Sequence, residues 1–128
     1  MNRGISILER EIPEQILPDG GHFELSPMYH SIILELIHDI YLLSISIDAP
    51  RILNEQSKFL KSKMISMTNW LEKMIHHDGD IALFNDAAFG IAIEPRILID
   101  KIKKDFSIKL NEISDCEFLE DTGYLRLS

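Results

Sequence analysis

Ile5, Leu8, Ile12 and Ile16 recur at helical spacing and predict a first helix over roughly residues 3–17. Pro13 sits inside it, where a kink is expected. Pro18-Asp19-Gly20-Gly21 then stops it with four turn-forming residues. A second helix is predicted to start at Ser26-Pro27, a good N-cap followed by the imino acid favoured at the first helical position. Met28, Ile32, Ile33, Leu36, Ile37, Ile40 and Leu43 give that helix a wide apolar face, as expected of a helix pressed between neighbours. Asp48-Ala49-Pro50 repeats the cap-then-proline signal.

The apolar positions from Ile52 through Leu60, Met67 and Leu71 to Ile75 predict one long helix, or two with a weak break near residues 57–63. His76-His77-Asp78-Gly79 closes it. Residues 80–93 lack a clear period and read as a structured, partly buried loop. Pro95 opens a short helix to about Lys104. Thr122-Gly123 reads as a turn, and Tyr124-Leu125-Arg126-Leu127 as the start of a lone strand. No internal repeat, linker or low-complexity stretch is legible. The expectation is a single all-α domain over residues 1–128 with a short C-terminal strand, residues 120–128 being the start of a following β-region.

Composition narrows the class. The 128 residues are 45% hydrophobic and 27% charged, ordinary for a chain that builds a core. Thirteen Lys and Arg against 21 Asp and Glu give a formal charge of -8, which repels phosphate backbones and argues against nucleic acid. No apolar stretch is long enough to predict a membrane span, and the first residues lack the apolar core of a signal peptide. The single cysteine, Cys116, is expected to act as a small buried or half-buried hydrophobe. Neither a metal site nor a cofactor is expected: His76 and His77 are adjacent and do not both face one ion easily on a helix. Met64, Met67, Trp70 and Met74 read as core packing, although Trp70 is also a candidate platform for a sugar ring.

The polar residues with chemical potential concentrate in residues 18–30. Tyr29 is predicted as the third residue of its helix, where the positive helix end favours negative charge and a phenol can exchange a proton. The structural alternative is a tyrosine that anchors the helix start. His22 is a candidate acid/base or hydrogen-bond donor to substrate, or simply a solvated loop residue. His30 points to another helix face and orients the loop, and Glu24 holds the loop by accepting backbone N–H groups. Asn85 and Asp86 form a second polar cluster, readable as a substrate contact or as turn and cap chemistry.

The stretch Asp19-Gly20-Gly21-His22-Phe23-Glu24-Leu25-Ser26-Pro27-Met28-Tyr29-His30 resembles the DGG-x-FE-x-x-P-x-YH stretch of heparinase II/III-like polysaccharide lyases. The helix before it, residues 8–17, the segment 78–87 and the ending 123–127 also look like family members, in the same order. The resemblance implies an α/α toroid of antiparallel helical hairpins followed by β-sheet, of which this chain supplies an incomplete, C-terminal part. It implies that Tyr29 is the catalytic tyrosine, exchanging a proton during β-elimination of a uronic-acid-containing polysaccharide. It also implies that a carboxylate-neutralising Asn-His pair and a further catalytic histidine lie in segments before and after this one. The expected partners are an acidic polysaccharide and the remaining toroid and β-domain segments, or self-association through uncovered apolar surface. A lyase like its family works in the periplasm or outside the cell. The competing readings are a non-catalytic helical binding module and a small independent enzyme built on His22 and Glu24.

Overall fold

The computed structural model describes residues 2–127. Five helices fill about half of the chain: α1 Asn2–Gln15, α2 Pro27–Ser44, α3 Arg51–Asn54, α4 Ser57–Lys73 and α5 Pro95–Phe106. Two strands follow, β1 Cys116–Leu119 and β2 Tyr124–Leu127. Helix α1 runs through Pro13 and ends at Gln15. Helix α2 starts as its sequence dictates, with Pro27 at the first position and Ser26 Oγ accepting from Tyr29 N at 3.5 Å. The break in the third helical region falls at Glu55 and Gln56, earlier than expected, and leaves α3 a single turn.

The core forms where α2 lies along α4, with α5 closing it. Met64, Met67 and Leu71 of α4 meet Leu34 and Ile37 of α2 and Leu98 and Ile102 of α5. The buried stripe of α2 matches only in part the one its apolar residues mark: Met28 and Ile37 are buried, and Ile32, Ile33 and Ile40 half-buried. Leu36 and Leu43 are 52% and 61% exposed, whereas His30, Ser31, His38 and Ser44 are buried. These polar residues share the spacing of Leu34, Ile37 and Tyr41, and each makes a hydrogen bond, although the buried His38 Nδ1 makes none. Ser31 Oγ donates to Pro27 O at 2.9 Å, Ser44 Oγ to Tyr41 O at 2.6 Å, and His38 Nε2 to Asp105 Oδ2 at 3.0 Å. A buried polar group that is hydrogen-bonded carries little penalty, so helical geometry and not hydropathy chose the face.

One turn geometry occurs twice. After α1, Ile16 bridges to His22 across Asp19-Gly20-Gly21; after α4, Ile75 bridges to Ile81 across Asp78-Gly79-Asp80. Both turns use the same bonds: Gly20 N to Leu17 O at 2.9 Å and Gly79 N to His76 O at 3.0 Å, with Asp19 and Asp78 each accepting from the backbone N–H two residues on. Gly20 and Gly79 both sit at φ 95. A proline-opened helix then follows each turn, and the buried positions correspond: Pro27, His30, Ser31 and Leu34 in α2, Pro95, Leu98, Ile99 and Ile102 in α5. The same turn geometry is thus used twice, with the next helix opening seven residues after Gly20 but sixteen after Gly79. Both turns place a glycine after an aspartate at positive φ, which side chains rarely adopt.

The C-terminal strand is not alone. β2 pairs antiparallel with β1, Leu119 opposite Tyr124 and Cys116 opposite Leu127, around the Thr122-Gly123 turn. Cys116 is exposed at the start of β1, not buried as expected. No helix among the described residues is long and apolar enough to cross a membrane.

Candidate functional site

The loop between α1 and α2 is held from beneath through Asp19 and the two glycines that follow it. Gly20 packs so closely on α4 that a Cβ there would stand 2.2 Å from Ser66 O, and a Cβ on Gly21 would stand 2.2 Å from Thr122 Cγ2 and 2.6 Å from Trp70 Nε1. Asp19 bonds in two directions. Its Oδ1 accepts from Gly21 N at 3.0 Å, and its Oδ2 accepts from Thr122 N at 2.7 Å and Thr122 Oγ1 at 2.8 Å. The Trp70 indole donates in turn to Thr122 Oγ1 at 3.2 Å. Trp70 is fully buried, so it is a core residue and not a sugar platform. Replacing Asp19 with alanine removes the acceptor of three donors and is expected to cost about 1–3 kcal/mol. Amide exchange at Gly21 and Thr122 reports it; unchanged protection at both would contradict this bonding.

The two loop histidines lie inside the protein. His30 Nδ1 accepts from His22 N at 3.2 Å and its Nε2 donates to Met67 O at 2.9 Å, which fixes the neutral tautomer. Its ring lies 4.4 Å from that of Trp70. Burial drives its pKa down to about 3, the bond to Met67 O offsetting only part of that. His22 is buried rather than solvated: Nε2 faces Gln15 Oε1 at 3.5 Å and Nδ1 accepts from Glu24 N at 3.4 Å. Burial lowers its pKa too, with Glu24 opposing. Both imidazoles thus hold the loop.

A stability consequence follows. Each histidine takes up a proton more readily unfolded than folded, so lowering the pH favours the unfolded chain. The loss begins below the ordinary histidine value of about 6.5 and, for His30, continues to about 3, at up to about 1.4 kcal/mol per pH unit. Unfolding midpoints measured across this window are expected to fall with pH, and the slope between pH 6 and 5 (roughly, the first unit below the free value) should shrink in His30→Gln. An equal slope in that variant would contradict the assignment.

Tyr29 is placed differently. It lies on the first turn of α2, its backbone N–H tied to the Ser26 cap, and it is 39% exposed. Glu24 is exposed beside it in the chain, its carboxylate 3.9 Å from His22 Nδ1 instead of on backbone N–H groups. Asn85 joins this loop from the other side: Nδ2 donates to Leu25 O at 2.9 Å and Glu24 O at 3.4 Å. Tyr124 OH donates to the same Leu25 O at 2.7 Å. Leu25 has φ 56, a conformation a leucine rarely adopts, and these two donors pin it immediately before the cap. Asp86 is exposed in the turn after Asn85. The structure therefore brings Asn85 to the Tyr29 loop, leaves Tyr29, Glu24 and Asp86 at the surface, and places His22 and His30 below. Tyr124, Thr122, Asp19 and Trp70 complete the support. Sequence reading missed these four because their partners lie far along the chain, Asp19 and Thr122 being 103 residues apart.

Among the described residues no group of three or more His, Cys, Asp or Glu could hold a metal ion.

Compared with known proteins, the sequence matches the family described as heparinase II/III N-terminus over residues 1–103. No curated protein and no solved structure matches the chain. The match is to the family's N-terminal domain, which corrects the placement in a C-terminal part of a toroid. It covers Tyr29 and both Asp-Gly turns and ends inside α5, before the β-hairpin. The chain belongs to the heparinase II/III family, and what it shares with that family is the N-terminal domain.

Proposed function

We propose that this chain is part of a polysaccharide lyase that cleaves uronic-acid-containing glycans by β-elimination, with Tyr29 trading the proton. The observation that carries this reading is the contrast within one loop. His22 and His30 are buried, neutral and spent on loop bonds, while the Tyr29 phenol stands at the surface on a capped helix start.

The chemistry requires three contributions. A neutralising group draws charge from the uronate carboxylate, which acidifies the neighbouring C–H. A base removes that proton, and its electron pair forms a carbon–carbon double bond as the bond to the glycosidic oxygen breaks. An acid then protonates the departing oxygen. A phenol near both atoms serves as the acid and, in one stereochemical course, as the base too. The positive end of α2 beside Tyr29 favours an anionic substrate group there. Asn85 and Tyr124 hold the loop, and so the phenol, in place.

In this reading the chain alone is inactive, because the family's Asn-His pair and second histidine come from segments outside residues 1–128. The test is production of the unsaturated sugar, followed by its ultraviolet absorbance, on uronate polymers. The expected outcome is no product from residues 1–128 alone and product once the flanking segments of the gene are included. A longer protein that binds such polymers without forming product would favour the alternative, a non-catalytic helical binding module. That alternative draws on the partly exposed Ile33–Ile40 side of α2, where Leu36 and its neighbours form an apolar groove with Leu8 and Ile12 of α1 and Ile16 just after it.

A further inference from the structure

A cleft of about 200 Å³ opens between the end of α4 and the C-terminal hairpin. It is smaller than the roughly 300–1,000 Å³ of sites that enclose a drug-sized ligand, and suits a single sugar ring. Its floor is aromatic. Phe84 and Tyr124 stack with centroids 4.7 Å apart and planes at 17°. Tyr124 covers one face of Phe84, yet Phe84 remains 43% exposed, so its other face is open to a ligand. An open aromatic face is a platform for the C–H face of a pyranose, which it shields from water.

The ionisable side chains that line the cleft are basic types, apart from Tyr124. Lys73, His76, His77 and Arg126 line it, and no Asp or Glu does. The sequence as a whole carries 21 acids against 13 Lys and Arg, so this arrangement runs against composition. Lys73 pairs with Glu117, and Arg126 Nη1 donates to Glu72 O, Lys73 O and Ile75 O at the end of α4. These two cations build the wall. His76 and His77 sit exposed in the turn above it, within reach of a bound anion.

The cleft also adjoins the Tyr29 loop. Tyr124, its floor, donates to Leu25 O, and Asn85, next to Phe84, donates to the same oxygen. We propose that this cleft is a subsite for an acidic sugar unit of the glycan, stacked on Phe84 with its carboxylate toward His76 and His77. The ligand class rests on the lyase reading above; the site itself rests on the cleft.

The test uses residues 1–128 labelled for NMR, titrated with a tetrasaccharide of mannuronate and, separately, with cellotetraose as a neutral control. The expected result is saturable amide shifts at residues 73–77, 82–85 and 124–127 with the acidic sugar and none with the neutral one. Phe84→Leu, which keeps apolar volume, and His76→Gln/His77→Gln should each weaken binding by about tenfold or more with the remaining spectrum retained. No saturable shift, equal shifts with cellotetraose, or affinities unchanged in both variants would each overturn the proposal. Binding here needs no catalysis, so product formation in the longer protein tests the lyase reading separately.

Discussion

Gly20→Ala is expected to destabilise the protein far more than Gly79→Ala, although the two glycines occupy the same turn with the same φ of 95. At Gly79 nothing lies within 4 Å of an added Cβ, so the substitution meets only the left-handed backbone, about 1–2 kcal/mol. At Gly20 the Cβ would meet Ser66 O at 2.2 Å and Ser66 C at 2.6 Å, both main-chain atoms of α4 that have no rotamer to retreat into. Relieving that contact moves the loop off the helix, and overpacking adds to the backbone term for a total of roughly 2–5 kcal/mol. A small domain holds only about 5–15 kcal/mol, so Gly20→Ala removes a large part of it. Urea midpoints at equal m-values measure both variants. Equal losses would mean that the close approach of the loop to α4 does not exist in solution.

This pair also shows what a sequence does and does not reveal. The Asp-Gly turns, the Ser26-Pro27 cap and the Pro95 helix start are local devices, and each is readable from two or three adjacent residues. The position of Tyr29 on the first turn followed from the cap alone. The stripe that α2 buries was readable only in part, at Met28 and Ile37, because His30, Ser31, His38 and Ser44 are polar and His30 and His38 find partners far along the chain, Met67 O and Asp105. Strand β1 was missed for a similar reason: Cys116-Glu117-Phe118-Leu119 lacks alternation and is defined by its pairing with β2. The support of the Tyr29 loop by Thr122 and Tyr124 joins opposite ends of the chain, so no local pattern encodes it.

Tyr29→Phe is expected to have the largest effect on function. The substitution removes one oxygen at a position that is 39% exposed, so the fold should be nearly unaffected. Surface placement on a capped helix start makes it a clean chemical probe, unlike His22 or His30, whose loss would disturb the loop itself. A positioned acid or base contributes about 10²–10⁴-fold to rate, and a phenol serving in both roles would account for the upper end. The loss should fall on kcat with KM little changed, because phenylalanine retains the ring and its contacts. By contrast Tyr124→Phe, which loses only the bond to Leu25 O, should lower kcat less and act by loosening the loop.

The most direct test is therefore the rate of unsaturated-product formation on a uronate polymer by the longer protein that includes this segment, compared with its Tyr29→Phe variant of matched thermal stability. The account predicts a fall of about a hundredfold or more in the variant. Equal rates in the two proteins would remove Tyr29 from the chemistry and with it the reading of this loop as a lyase site.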